Sequence, residues 1–103
     1  LLAGSDHAAI GAIQFFKNKK LSIPKDISVV GFGNWKLSKF STPSLTTVDQ
    51  SANLMGEEIF KIFLEEKLLV SRGVAAANKT LTLSTNLIVR ESSIKSLRLD
   101  NFN

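Results

Sequence analysis

The run Ile27-Ser28-Val29-Val30-Gly31-Phe32 limits the fold more than any other stretch of this chain. Ile27, Val29, Val30 and Phe32 are β-branched or aromatic and show little polar alternation, the pattern of a strand covered on both faces. Such a strand needs helices to cover it, and the sequence supplies two. Ala8, Ala9, Ala12, Ile13 and Phe16 recur at helical spacing behind Asp6, which predicts a helix from about Asp6 to Lys20 with Asp6 accepting the free amides of its first turn. Pro24, with its fixed φ and missing donor, ends anything helical before it. Further on, Ala52, Met55, Ile59, Ile62 and Phe63 share one helical face, with Glu57, Glu58, Lys61 and Glu65 largely on others. That predicts a helix from about Ser51 to Lys67, supported by a Glu57–Lys61 pair at i,i+4.

Between these elements, Gly33 to Ser44 reads as a loop, with Pro43 holding Thr42 extended. The segment "LTTVDQ" reads as a second strand, "VSRGVAAANK" as a weakly patterned connection, and "TLTLS" and "NLIVRESS" as two further strands. The tail "IKSLRLDNFN" is polar enough to fray. Since "LLAGSD" reads as the end of a strand, the order is strand, helix, strand, strand, helix, strand, strand. This implies an α/β fold, a parallel sheet with flanking helices and at least one right-handed crossover.

With 103 residues, 44% of them hydrophobic, the chain has material for one small domain. Its opening leucine and its truncated first strand suggest a piece of a longer polypeptide. Having no cysteine, it offers neither disulfides nor thiolate metal sites, and a reducing cytosol is compatible. No apolar run approaches the roughly 20 residues of a membrane span, and nothing at the amino end resembles a signal peptide, so a soluble protein is expected. The net charge of +4 could suggest nucleic acid. However, Lys17, Lys19, Lys20 and Lys25 cluster where a helix ends, and there the helix dipole favours cations.

An enzyme finds little support. His7 is the sole histidine, and Asp6 beside it points elsewhere on a helix, so adjacency makes no relay. Glu57, Glu58, Glu65 and Glu66 form a solvated face, not oxygens converging on a cation. No catalytic residue, metal site or cofactor is therefore expected. The stretch "GFGNWK" lacks the third glycine and the following helix of a dinucleotide fingerprint. The more general rule is that ligands of open α/β sheets bind beyond the carboxyl ends of the strands. Ser5 with Asp6, the turn Gly33-Asn34-Trp35, and Asp49 with Gln50 all stand where a strand has just ended. Trp35 has two roles open to it: a hydrophobic plug in a loop or interface, or an aromatic wall against the apolar face of a ligand ring.

The segments "AGSDHAAIGAIQFF", "IPKDISVVGFGN", "PSLTTVDQSANLMGEEIF" and "LIVRESS" together resemble the carboxyl-terminal part of the LacI/GalR family of bacterial transcription regulators, over about residues 3 to 93. The combination is specific where no single piece is. The resemblance implies part of a type I periplasmic binding protein-like core, in which two α/β subdomains clasp an effector. Residues 1–103 would form a partial effector-binding and dimerisation core. About residues 1–45 and 80–93 would belong to the carboxyl-terminal subdomain, and the helix at about 51–67 would pack in the other. The helix-turn-helix DNA reader lies outside this chain, so operator DNA would be reached only through that missing domain. The implied protein is a cytoplasmic, dimeric, non-enzymatic regulator responding to a small molecule, most simply a carbohydrate. A periplasmic sugar-binding protein of the same fold is the alternative. Carried over by position, Ser5, Asp6, Gly33, Asn34, Trp35 and Gln50 would face the effector. Gly33 departs from the family pattern, which has an aspartate after "GF" or "GY" to accept effector hydroxyls, and Trp35 could supply stacking instead. Ile10, Leu37 and Phe40 would lie at the dimer contact.

Overall fold

The computed structural model describes residues 1–93, and the tail predicted to fray, 94–103, lies outside them. The chain forms α1 (Asp6–Asn18), β1 (Val30–Phe32), α2 (Lys36–Phe40), β2 (Thr46–Asp49), α3 (Ala52–Ser71) and β3 (Asn86–Ile88). Two compact units result: Leu1–Asp49 with the described part of Asn86–Asn103, and Gln50–Thr85.

In the first unit the sheet order is β1-β2-β3. β1 and β2 run parallel, with Val30 opposite Thr46 and Phe32 opposite Val48. β2 and β3 run antiparallel, with Thr47 opposite Ile88. Leu2 makes a parallel bridge to Val30, so the amino end lies along the other side of β1, as expected of a strand's last residues. α1 therefore connects two parallel lines of chain, and its inner face builds the core. Ala9, Ile13, Val29 and Leu45 are buried, and Ala3, Ile10, Phe16 and Ile23 pack against them. Burying a side chain the size of Leu45 or Ile13 contributes about 1.5 to 3 kcal/mol. Gly31 permits this packing. A Cβ there would run into Asp6 Oδ1 and would stand 2.8 Å from Leu45 Cδ2, so α1 sits as close to β1 as a bare backbone allows.

Ser92 ties the carboxyl segment to the sheet. Fully buried, its hydroxyl donates to Val29 O (2.6 Å) and accepts from Thr46 N (2.8 Å). Its backbone bridges the same two strands, donating to Ser44 O (2.9 Å) and accepting from Val29 N (2.8 Å). The segment "RESS" thus satisfies strand ends that would otherwise leave buried donors and acceptors unmade.

Several sequence expectations need correction. The loop Gly33 to Ser44 contains α2, a single short helix too brief to show periodicity. α3 runs on to Ser71, four residues past Lys67, since "LLVS" contains no helix breaker. Its Lys61 pairs with Glu58 at 2.7 Å, not with Glu57. "TLTLS" alternates as a strand does, yet residues 80–84 join no sheet among the described residues, and only Asn86–Ile88 pair with β2. In the second unit α3 buries none of its residues, and Ile59, Phe60, Phe63 and Leu68 are all exposed.

Candidate functional site

The cap of α1 differs from expectation in a way that shapes the site. Ser5, not Asp6, is the N-cap: in extended conformation, its Oγ accepts from Ala8 N at 3.2 Å. Freed from capping, the Asp6 side chain turns beneath the strand ends and is 1% exposed. Its Oδ2 accepts the Trp35 amide at 2.8 Å and the Ser38 hydroxyl, while Oδ1 accepts the Thr47 hydroxyl at 2.5 Å. Burial would push the Asp6 pKa up, but the hydrogen bonds from Ser38, Thr47 and the Trp35 amide, helped by the charge of Arg90, outweigh it and hold the carboxyl below its ordinary value. One buried carboxylate thus joins α1, the turn after β1, α2 and β2.

Beyond the end of β1 the chain makes a strained turn. Gly33 has φ +120° and Asn34 φ +50°, a region that glycine enters freely and asparagine tolerates. The turn is held from both sides: Gly33 N donates to Val48 O (2.8 Å) and Asn34 N to Thr47 Oγ1 (3.2 Å). The Asn34 side chain is the middle of a polar chain, its Nδ2 donating to Asp49 Oδ2 (3.3 Å) and its Oδ1 accepting from Arg90 Nη2 (2.8 Å). Arg90 also anchors to Leu45 O through Nη1 at 2.9 Å.

Trp35 is 57% exposed at this rim. Its indole occupies the space a side chain at position 33 would take, since a Cβ on Gly33 would stand 2.7 Å from Trp35 Nε1 and 2.8 Å from Cδ1. The His7 ring meets the indole edge to face, with centroids 4.9 Å apart and planes at 74°.

The structure therefore brings Ser5, Asp6, Gly33, Asn34, Trp35 and Asp49 to one end of the sheet. Gln50 follows Asp49 directly and opens the second unit. Of the expected contact residues, Leu37 (53% exposed) and Phe40 (79%) stand open on α2, so Phe40 does not cover the sheet from within, while Ile10 packs partly against the core. Sequence reasoning missed Arg90, Ser38 and Thr47 as parts of the site, and saw His7 only as a rejected catalytic group. Arg90 lies 56 positions from its partner Asn34, a distance no local pattern spans.

Among the described residues, this polar network lies at the carboxyl ends of two parallel strands of an α/β sheet, the place where open sheets of this class take their ligands. Comparison with known proteins gives the family. Residues 1–93 match the periplasmic binding protein-like domain, and the chain belongs to that family as part of the effector-binding core of a LacI/GalR-type regulator. It is 33% identical over 97 residues to the HTH-type transcriptional repressor PurR of Haemophilus influenzae, covering 94% of this chain and 28% of that protein. Among solved structures, the transcriptional regulator CelR–cellobiose complex superposes with a TM-score of 0.78 at 27% identity, over 89% of this chain and 27% of that one. The lac repressor dimer bound to operator and the anti-inducer ONPF superposes with a TM-score of 0.72 at 30% identity, over 90% and 31%. The chain thus spans about a quarter to a third of the length of these relatives. Those relatives named by activity are transcription regulators, which supports a regulatory effector-binding domain over a transport protein. No described helix is long and apolar enough to cross a membrane.

Proposed function

We propose that this chain is the effector-sensing and dimerising segment of a cytoplasmic, non-enzymatic LacI-type regulator, and that its effector is a carbohydrate. The observation that carries the reading is the exposed indole of Trp35 beside the Asp49–Asn34–Arg90 polar chain at the strand ends. Sugar sites combine these two features, an aromatic face for the C–H side of a ring and amide, carboxylate and guanidinium groups for its hydroxyls. The complex of a structural relative with cellobiose agrees with this chemistry.

In this proposal Ser5 and Asp6 build the site from below. Asp6 has three protein donors on its oxygens and positions the Trp35 backbone, while Gly33, Asn34 and Trp35 are offered to the effector. Operator DNA is bound through a helix-turn-helix domain outside this chain, in a homodimer whose contact includes Ile10, Leu37 and Phe40. Two large side chains standing open on a five-residue helix are what an interface centre needs, and a two-fold dimer matches paired DNA half-sites.

Both halves of the reading are tested together on the intact regulator. Phe40→Asp is expected to give monomers in sedimentation, because a charge resists desolvation at the contact. The same monomers are expected to keep a carbohydrate-induced rise in melting temperature, since ligand bound only to the folded state stabilises it. An intact dimer would overturn the interface. A regulator that no carbohydrate stabilises would overturn the effector class.

A further inference from the structure

We infer that His7 is a positioning residue for effector recognition, locking the Trp35 indole into a preformed wall whose geometry depends on the absence of a side chain at Gly33. This rests on the reading of Trp35 as an effector contact and assigns a role to a residue outside it. Three contacts converge on Trp35. Its backbone amide is fixed by Asp6 at 2.8 Å, which sets where the residue leaves the turn. The indole five-membered ring lies against Gly33, at a distance from the ideal Cβ position that no substituent tolerates. His7, in the first turn of α1, then meets the indole in a T-shaped contact, with ring centroids 4.9 Å apart.

The edge-to-face geometry brings a positive ring edge to a negative ring face, and such pairs hold their orientation better than area contact alone. An indole more than half exposed would otherwise sample several rotamers, and ordering it on binding would cost affinity. The histidine and the glycine remove that cost before the effector arrives. Gly33 and Trp35 are in this view one device: any side chain at position 33 would displace the indole, so a carboxylate there and this aromatic wall exclude each other. The ligand class that follows is a ring with an apolar face presented to the indole, rather than one grasped mainly through hydroxyls at position 33.

The test uses the intact regulator labelled with 5-fluorotryptophan, its Trp35 resonance assigned by its loss in Trp35→Phe, together with calorimetric titration of cellobiose and lactose. His7→Ala is expected to shift and broaden the Trp35 resonance. It should also weaken binding of whichever sugar the wild type takes by about fivefold, with melting temperature unchanged, and His7→Phe should restore both. An unchanged resonance in His7→Ala overturns the inference, even if affinity falls, because His7 would then touch the sugar itself. A changed resonance with unchanged affinity overturns it as well. If neither sugar binds wild-type protein, the resonance alone decides whether His7 orders the indole, and an unchanged resonance overturns the inference.

Discussion

Asp6→Ala is expected to lower the unfolding free energy of this domain by about 3 kcal/mol or more, a loss large enough to unfold a marginal protein. The substitution leaves the Ser38 hydroxyl, the Thr47 hydroxyl and the Trp35 amide without their shared acceptor, and a buried orphan donor costs about 1 to 3 kcal/mol. The effect is large because Ser38 and Thr47 are fully buried, so water does not replace the carboxylate. Asp6→Asn, which keeps the shape but turns a donor amide toward donors, should recover only part of it. Acid gives the same result without mutation. Since the folded pKa of Asp6 lies below its unfolded value, its stabilisation is present above the ordinary carboxylate range and is lost as pH falls through the folded pKa. Urea unfolding as a function of pH should show wild type losing stability toward acid more steeply than Asp6→Ala. Parallel profiles would mean that the carboxylate is not ionised in the fold.

Gly31→Val is expected to be at least as damaging, by about 3 kcal/mol, for a different reason. A Cβ at this position meets Asp6 Oδ1 and Leu45 Cδ2, and lies 3.2 Å from the Asp6 Cα, so relief requires lifting the start of α1 off β1. Moving α1 also disturbs the three bonds of Asp6. Gly31→Val and Asp6→Ala should therefore be strongly non-additive, because each disrupts the same junction. Thermal unfolding of the two single variants and the double variant measures this. A double variant whose loss equals the sum of the singles would contradict a shared junction.

Much of the framework was legible because it is periodic. The apolar spacing of Ala9, Ile13 and Phe16 and the run Val29 to Phe32 declare a helix beside a strand, and the parallel bridge of Leu2 to Val30 across α1 is the crossover that their order implies. What escaped is short or non-local. "KLSKF" makes barely one turn, so α2 left no period to read. "TLTLS" carries the alternation of a strand, but alternation states only which face could be buried, and no partner lies beside residues 80–84 among the described residues. Ser5 and Asp6 are both good N-caps, and composition does not say which will serve. That choice decided whether Asp6 became a cap or the buried hub of the site. Likewise Gly33 was visible as a departure from its family's pattern, while its steric dependence on Trp35, two residues away, needed coordinates.

In the proposed regulator, the exposed face of Trp35 recognises a carbohydrate effector. Calorimetric titration of cellobiose and lactose into the intact regulator and into Trp35→Ala tests it most directly. A side chain more than half exposed contributes little to folding, so the variant is expected to melt within a degree or two of wild type. It should bind the sugar that wild type takes about tenfold more weakly, the equivalent of about 1.4 kcal/mol. Equal affinity of wild type and Trp35→Ala would overturn effector recognition by Trp35 and return it to the role of a hydrophobic plug in a loop or interface.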